Sequence, residues 1–378
     1  MRFIVLGNPE NRRVALFSDS VKKAGLGHTT ILSYREILKT DVLKETDFTG
    51  AVVRIESPGE NFEVRKRLIA KGAAEAQKEG LPAIPEAQAM SLKDPAGIAH
   101  TRQWYLGFKD LLHDIDLELK SYSGVSLMNQ PSDIALMFDK RECQRYLKEQ
   151  GLPVPPFSTS VMAYDHLLET MRSRRWNKVF IKPAHASSAS GVIAFRISGG
   201  KQQAVTTIEL QRDGSTVRLF NSLKLRTYTD KADLEAIIDL VLQENAIVEQ
   251  WLDKATIADH YFDLRVLVIA GQAKHMVVRK SRQVITNLHL GNERGSLEEL
   301  SSAIGEAKLD EVRALAEQAA ACFPGSLYCG IDVLVTADKK SIRVLEVNAF
   351  GDLLPNVMHE DKSCYEAEIE ALMKEAEQ

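Results

Sequence analysis

The stretch Tyr328-Cys329-Gly330-Ile331-Asp332-Val333-Leu334-Val335, followed by Ile342-Arg343-Val344-Leu345-Glu346-Val347-Asn348-Ala349, reads as two strands joined by a polar turn. Side chains alternate across a strand, so Gly330, Asp332 and Leu334 share one face of the first strand. Val344, Glu346 and Asn348 share one face of the second. A turn centred on Lys339 sets Asp332 opposite Glu346, with Cβ atoms about 4.5 to 5.5 Å apart. Two carboxylates that close, flanked by apolar residues, repel unless a cation or a shared proton joins them. With the Asn348 amide oxygen they form a hard, oxygen-only set of the kind that holds Mg²⁺ together with a nucleotide's phosphates. The same residues also fit an edge hairpin whose polar face is merely solvated.

Upstream, residues 262–270 and 274–279 read as another hairpin around Gly271-Gln272. Asp263 and Arg265 share a face, away from apolar Phe262, Leu264, Val266 and Val268. A three-residue turn brings Arg279 across from Arg265, and two arginines converging there need an anion between them. Surface arginines are the plainer alternative. Leu309, Val312, Ala316 and Ala319 line one face of a helix that stops at Phe323-Pro324-Gly325. After residue 361 the chain reads as an acidic amphipathic helix, packed at a solvated surface.

Further towards the N-terminus, Val179-Phe180-Ile181 is a strand ending at Lys182-Pro183, followed by a small-residue loop over 184–191. Such a loop lets backbone N–H groups approach phosphate, and the lysine adds a compact charge. A plain turn satisfies the same pattern. Asp139 can cap a helix whose third residue is Glu142, with Cys143, Tyr146 and Leu147 as its apolar stripe and Gly151 as its stop. Lys140 opposes that helix's dipole, which a bound anion or simple surface exposure would explain. Residues 202–228 read as β-hairpins turning at Asp213-Gly214, 233–243 as a helix and 246–250 as a strand.

The first 120 residues alternate strands (3–6, 29–32, 51–55) with helices (12–24, 62–80), which implies a parallel open sheet covered on both faces. Gly7-Asn8-Pro9-Glu10-Asn11 follows the first strand but is no G-x-G-x-x-G, so a dinucleotide site is unsupported. The segment Arg54-Ile55-Glu56-Ser57-Pro58-Gly59 leaves the sheet at the edge where ligands of open α/β sheets bind. It is a substrate loop or an ordinary strand-to-helix connection.

The chain has 378 residues, about 2.5 times the usual domain length, so two or three units are expected. They are 1–120, 121–252 and 253–378. Forty-eight Lys and Arg against 52 Asp and Glu argue against a face built to neutralise nucleic acid. The longest apolar runs are strand-sized, far short of a membrane span. The N-terminus has too short an apolar core for a signal peptide, which sets a cytoplasmic expectation. Cys143, Cys322, Cys329 and Cys364 form no C-x-x-C pair, and none of the nine His sits in an H-x-x-x-H pair, so zinc chemistry is not expected.

In combination these features resemble the ATP-grasp superfamily, closest to the branch of glutathione synthetase and the ribosomal-protein glutamate ligases. The resemblance runs over residues 120–360. It rests on Asp139-Lys140, Phe180-Ile181-Lys182-Pro183 with its loop, Val248-Glu249-Gln250-Trp251-Leu252, Asp263-Leu264-Arg265, Asn287-Leu288-His289-Leu290-Gly291, Gly330-Ile331-Asp332 and Leu345-Glu346-Val347-Asn348. It implies an α/β (α+β) chain: an N-terminal open α/β domain, then a two-lobed ATP-grasp fold holding nucleotide between two antiparallel sheets. It implies ATP and Mg²⁺ as cofactors, with Mn²⁺ able to substitute. Lys140 and Lys182 resemble the phosphate lysines. The loop 187–191, with Ser188, Ser190 and Gly191, resembles the phosphate flap, though it is Ala- and Ser-rich where the family usually carries glycines. Glu249, Gln250, Trp251 and Leu252 resemble the adenine linker, with Glu249 or backbone groups meeting the exocyclic amine. Asp332, Glu346 and Asn348 resemble the metal ligands. Arg265 and Arg279 resemble the arginines that steady the transferred phosphoryl group. Asp253 and Asp259 are the candidates for a ribose contact, and residues 199–230 for a family-specific substrate element.

The implied activity is an ATP-dependent carboxylate–amine or carboxylate–thiol ligase. It would act through an acyl phosphate on a small molecule or peptide, with an amine co-substrate. A homo-oligomer is also expected, with neither nucleic acid nor membrane as partner. A kinase on the same scaffold, or a nucleotide-binding regulator without turnover, are the competing readings.

Overall fold

The computed structural model describes residues 1–59, 61–186, 189–214, 216–286, 292–351 and 354–376. The chain opens with β1 (Arg2–Leu6), α1 (Arg12–Lys23), β2 (Thr29–Leu32), α2 (Tyr34–Ile37), α3 (Val42–Glu45) and β3 (Ala51–Ile55). Helices α4 (Phe62–Lys71), α5 (Ala73–Lys78), α6 (Glu86–Met90) and α7 (Thr101–Leu119) follow, then β4 (Ser126–Leu127). The four strands form a parallel sheet in the order β2-β1-β3-β4, its last strand drawn from beyond residue 120. Strand β3 is buried along its whole length, as a parallel strand covered on both faces should be.

Residues 62–80 form two helices, not one. The break falls at Gly72, where α4 crosses α7 backbone to backbone. A Cβ on Gly72 would lie 2.0 Å from Gln103 O, and one on Gly107 would lie 1.9 Å from Leu68 O. Contact that close demands glycine on both sides and leaves no room for a side chain to continue the stripe.

Next come α8 (Pro131–Phe138), α9 (Lys140–Glu149), β5 (Phe157–Ser158), α10 (Tyr164–Ser173), β6 (Lys178–Lys182) and β7 (Ile193–Ser198). Then follow β8 (Lys201–Asp213), β9 (Thr216–Tyr228), α11 (Lys231–Gln243) and β10 (Ile247–Gln250). Their strands pair antiparallel in the order β5-β10-β6-β7-β8-β9, with β8 and β9 as one long hairpin.

The remainder is β11 (Thr256–Ile257), β12 (His260–Ile269), β13 (Gln272–Ser281), β14 (Glu293–Gly295), α12 (Leu297–Ile304), α13 (Glu306–Ala321), β15 (Tyr328–Val335), β16 (Ile342–Asn348) and α14 (Cys364–Ala376). A second antiparallel sheet runs β14-β13-β12-β15-β16, with β11 on β12. Helix α13 buries Leu309, Val312, Leu315, Ala316 and Ala319 in the core beneath this sheet. The architecture is the expected one, an open parallel α/β unit followed by two antiparallel sheets.

One expectation at the periphery is corrected and one alternative is narrowed. Helix α14 is not a solvated tail: Ala367, Glu368, Ile369, Ala371 and Leu372 are buried. Of the two readings of residues 54–59, the surroundings of Arg54 and Glu56 favour the ordinary strand-to-helix connection. Both are buried, and Arg54 pairs with Glu368 of α14. Among the described residues no helix is long and apolar enough to cross a membrane.

Candidate active site

The register of β15 and β16 sets Asp332 opposite Glu346 and Gly330 opposite Asn348. The turn between them carries Lys339 at φ +57°, and the register shifts after Asp332 so that Val333 pairs with Val344. Asn348 Nδ2 donates to Gly330 O at 3.2 Å, which fixes its amide plane. A Cβ on Gly330 would lie 2.3 Å from Gly351 O, so only glycine fits beneath this end of the hairpin.

Each carboxylate here faces a protein cation. Arg265, on β12 directly opposite Asp332, turns its guanidinium onto both carboxylate oxygens, with Nη2 2.9 Å from Oδ2. Arg279 Nη2 reaches the same Oδ2 at 3.0 Å, while its Nε donates to Asp263 Oδ1 at 2.6 Å. Lys140 Nζ lies 2.8 Å from Glu346 Oε1 and donates to Ala186 O at 2.6 Å. Lys182 Nζ lies 2.5 Å from Glu249 Oε2.

The two arginines therefore do converge on an anion, and it is Asp332. Arg279 does not stand across from Arg265, however. The turn has two residues, and a register shift between Leu267 and Val268 sets Arg279 opposite Asp263. Asp263 also accepts from Lys254 at 2.6 Å and from Thr286 Oγ1.

Lys140 begins α9 because Asp139 caps it, accepting from the N–H groups of Arg141 and Glu142. Its ammonium leaves the helix end for Glu346, so the helix dipole is not opposed by a free charge. Glu249 and Gln250 end β10; Gln250 N donates to Pro156 O and Trp251 N to Lys178 O. The Trp251 ring lies 5.0 Å from that of Phe180, and Leu252 is half-buried beside it in sequence. At the flap, Gly191 has φ +72° and its N–H donates to Thr207 Oγ1, while Ser190 is half-buried. Ser187, Ser188 and the segment 287–291 lie outside the described residues.

The YheC/D-like ATP-grasp family matches residues 134–374. The chain belongs to that family. Solved structures with the same fold include the ATP-grasp ligase PsnB with a minimal precursor, Mg and ADP, at 15% identity and TM-score 0.53, covering 100% of this chain and 98% of that one. D-cycloserine synthetase DcsG aligns at 12% identity and TM-score 0.57, covering 99% of both chains. The N5-carboxyaminoimidazole synthase of Aspergillus clavatus aligns at 11% and 0.55, covering 99% of this chain and 77% of that one. No curated protein matches the sequence.

Among the described residues no group of three or more His, Cys, Asp or Glu is arranged to hold a metal ion. What the ATP-grasp hairpin offers is two carboxylates paired across strands and one amide, an all-oxygen set that fits a hard divalent cation. Burial pushes the Glu346 carboxyl up, but the ammonium of Lys140, with Lys182 and Arg265, holds it below the usual range. Burial likewise pushes Asp263 up, yet Arg279 and Lys254 bring it down to about 2. A groove of about 980 Å³ between α2, α4 and α7 contains none of these residues. The gathered charges, not that groove, mark the site.

Sequence reading missed Lys254 and Thr286 as partners of Asp263. A lone lysine and threonine carry no local pattern, and Thr286 reaches Asp263 only through the fold. For Lys182, replacement by Ala is expected to weaken Mg²⁺-ATP binding about tenfold, the scale of a lost charge-assisted hydrogen bond. Lys182→Arg should recover only part, because a planar guanidinium does not replace a compact ammonium. Calorimetric titration measures both, and unchanged affinity in Lys182→Ala would mean that the loop is a plain turn.

Proposed function

We propose that the chain is an ATP-dependent, ADP-forming ligase that joins a carboxylate to an amine through an acyl phosphate. The observation that carries this reading is the set of four cations, Lys140, Lys182, Arg265 and Arg279, gathered around the Asp332–Glu346 hairpin. Phosphoryl transfer asks for positioning and charge neutralisation more than for a protein nucleophile. The thiols of Cys143 and Cys329 agree, since burial pushes both up, the second to about 12, and leaves neither nucleophilic.

Lys140 and Lys182 would hold the nucleotide's phosphates, exchanging their present carboxylate partners for phosphate oxygens. Residues 249–252 would receive the adenine. Asp332, Glu346 and Asn348 would hold Mg²⁺, which supplies charge neutralisation between phosphate oxygens. A substrate carboxylate oxygen attacks the γ-phosphorus and ADP leaves, with Arg265 and Arg279 meeting the charge on the group in flight. The amine then attacks the acyl carbon, phosphate leaves, and the nitrogen gives up a proton. PsnB was solved with a precursor peptide, which supports including peptides among the acids tested.

The test is ADP release over a panel of amino acids, small peptides and a peptide library, with and without hydroxylamine. Hydroxamate formation supports the ligase, whereas a stable phosphorylated product without hydroxamate assigns the scaffold to a kinase. Mg²⁺-ATP at a hundred times its Kd should also stabilise the fold by about 2.7 kcal/mol, and ATP with chelator much less. Thermal melts read this difference. An Asp332→Ala, Glu346→Ala, Asn348→Ala protein that kept the whole metal-dependent increment would sink the metal assignment.

A further inference from the structure

Lys140 and Lys182 come from different elements, the first residue of α9 and the last of β6. If both grip one triphosphate, something must fix their spacing. One link is direct: Lys140 N donates to Ala184 O at 3.2 Å. The second is supplied by Arg102, the second residue of α7, far away in sequence.

Arg102 Nη1 lies 3.0 Å from Asp139 Oδ2 and 3.1 Å from His185 Nε2. Asp139 is the residue before Lys140 and the cap of its helix. His185 is the third residue after Lys182, at the root of the small-residue loop. The two hydrogens of a single guanidinium nitrogen are thus divided between the two lysine-bearing segments. The guanidinium is itself held in plane: Nε and Nη2 fork onto Glu79 at 2.8 and 2.5 Å. Tyr105, one turn along α7, stacks on the His185 ring at 4.0 Å and 7° and donates its hydroxyl to Ala135 O. The start of α7 is anchored in turn by Glu244, which accepts from His100 N, Thr101 Oγ1 and Arg102 N. As the acceptor of an arginine N–H, His185 Nε2 carries no proton. Its imidazole is neutral, and burial pushes its basicity down to about 3.

We propose that Arg102 is a positioning residue for the nucleotide, tying the segment before Lys140 to the segment after Lys182 and so setting the distance between the two ammonium groups. The inference rests on the reading that these lysines hold phosphate. A salt bridge that merely joined α7 to its neighbours would need only charge. Here the planar fork, the shared nitrogen and the stacked ring each restrict direction, which a flexible ammonium cannot do.

Mg²⁺-ATP affinity is measured by calorimetry, and melting by heat, on Arg102→Met, Arg102→Lys, Glu79→Gln, Lys140→Met and the Arg102→Met, Lys140→Met pair. Arg102→Met should weaken binding about tenfold, with Arg102→Lys recovering little of it and Glu79→Gln losing about threefold. In the double variant the losses should be less than additive, because Arg102 acts through Lys140. A lowered melting temperature with unchanged affinity in Arg102→Met, or fully additive losses, overturns the proposal. Should Arg102→Met fail to fold, wild-type affinity in both Arg102→Lys and Glu79→Gln overturns it equally. Wild-type affinity in Lys140→Met would take down the phosphate-lysine reading and the inference with it. A weakened Lys140→Met beside an unaffected Arg102→Met takes down the inference alone.

Discussion

Replacing Arg265 with Ala should cut kcat for ADP release on the order of a hundred-fold or more while Mg²⁺-ATP affinity stays within a few-fold. Removal of a preorganised electrostatic stabiliser has effects of that size. Arg265 is buried on β12 and faces Asp332 across the strand pair. On the proposed reading Lys140 and Lys182 answer the ground-state phosphates, so the charge left for Arg265 is the charge that develops as the phosphoryl group moves. An interaction made mainly in the transition state lowers kcat when lost and spares binding. The structure adds a rival account, since Arg265 also holds the carboxylate of Asp332 in place. On that account the loss is a metal-binding defect and saturating Mg²⁺ restores the rate. The measurement is therefore kcat for Arg265→Ala across a Mg²⁺ titration, beside an ATP affinity at each end. Recovery of most of the rate at high Mg²⁺, or a large loss of affinity with normal turnover at saturation, would overturn the role given to Arg265.

That Asp332 and Glu346 share a face was legible because strand alternation has a fixed period; their direct pairing also needs the register shift after Asp332, without which Asp332 would face Leu345. The β12–β13 hairpin shows where that reasoning runs out. Its turn has two residues where three were needed to face Arg279 with Arg265, and the irregularity between Leu267 and Val268, which no residue type announces, moves Arg279 from Phe262 to Asp263. Arg265 then finds its partner on a strand 67 positions away, a separation at which periodicity carries no information. The break at Gly72 was hidden for a related reason. Glycine there is demanded by α7 crossing overhead, not by anything in the helix's own stripe.

Helix α14 shows a third kind of limit. Its acidic residues read as solvent-facing, since Glu is almost never fully buried unless paired. The pairing residue, Arg54, lies 314 positions upstream. In isolation each half of the contact looks like surface. The same holds for Arg102, whose partners Asp139 and His185 are 37 and 83 positions away.

The Arg54 cluster supports the largest expected change in stability. Arg54, Glu56 and Glu368 are 1%, 0% and 2% exposed. Arg54 Nε lies 2.6 Å from Glu56 and Nη1 lies 2.6 Å from Glu368. Its guanidinium faces the rings of Phe17 and Tyr328, each at 4.5 Å, and that of Tyr365 at 5.3 Å. One buried cation thus serves two carboxyl groups, and burial pushes Glu368 up to about 7 against the pull of Arg54. Removing the cation leaves both acids in a dry site, so Arg54→Met should destabilise by about 3 to 5 kcal/mol at pH 8. The loss should shrink at pH 5, where Glu368 is protonated. The proton on Glu368 also sets a slope in the wild type. The folded chain holds it at pH values where an unfolded Glu, near 4.5, has released it. Between about pH 4.5 and 7 the folded state binds more protons, so this residue's contribution is full below that window and lost across it, at up to about 1.4 kcal/mol per unit. Glu368→Gln keeps an acceptor for Arg54 and removes the titration. It should therefore match the wild type near pH 5 and exceed it at pH 8, as read by denaturant midpoints at both values. Parallel pH curves for wild type and Glu368→Gln would mean that Glu368 is ionised throughout, and an Arg54→Met protein within about 1 kcal/mol of wild type at pH 8 would mean that water, not Arg54, solvates these acids.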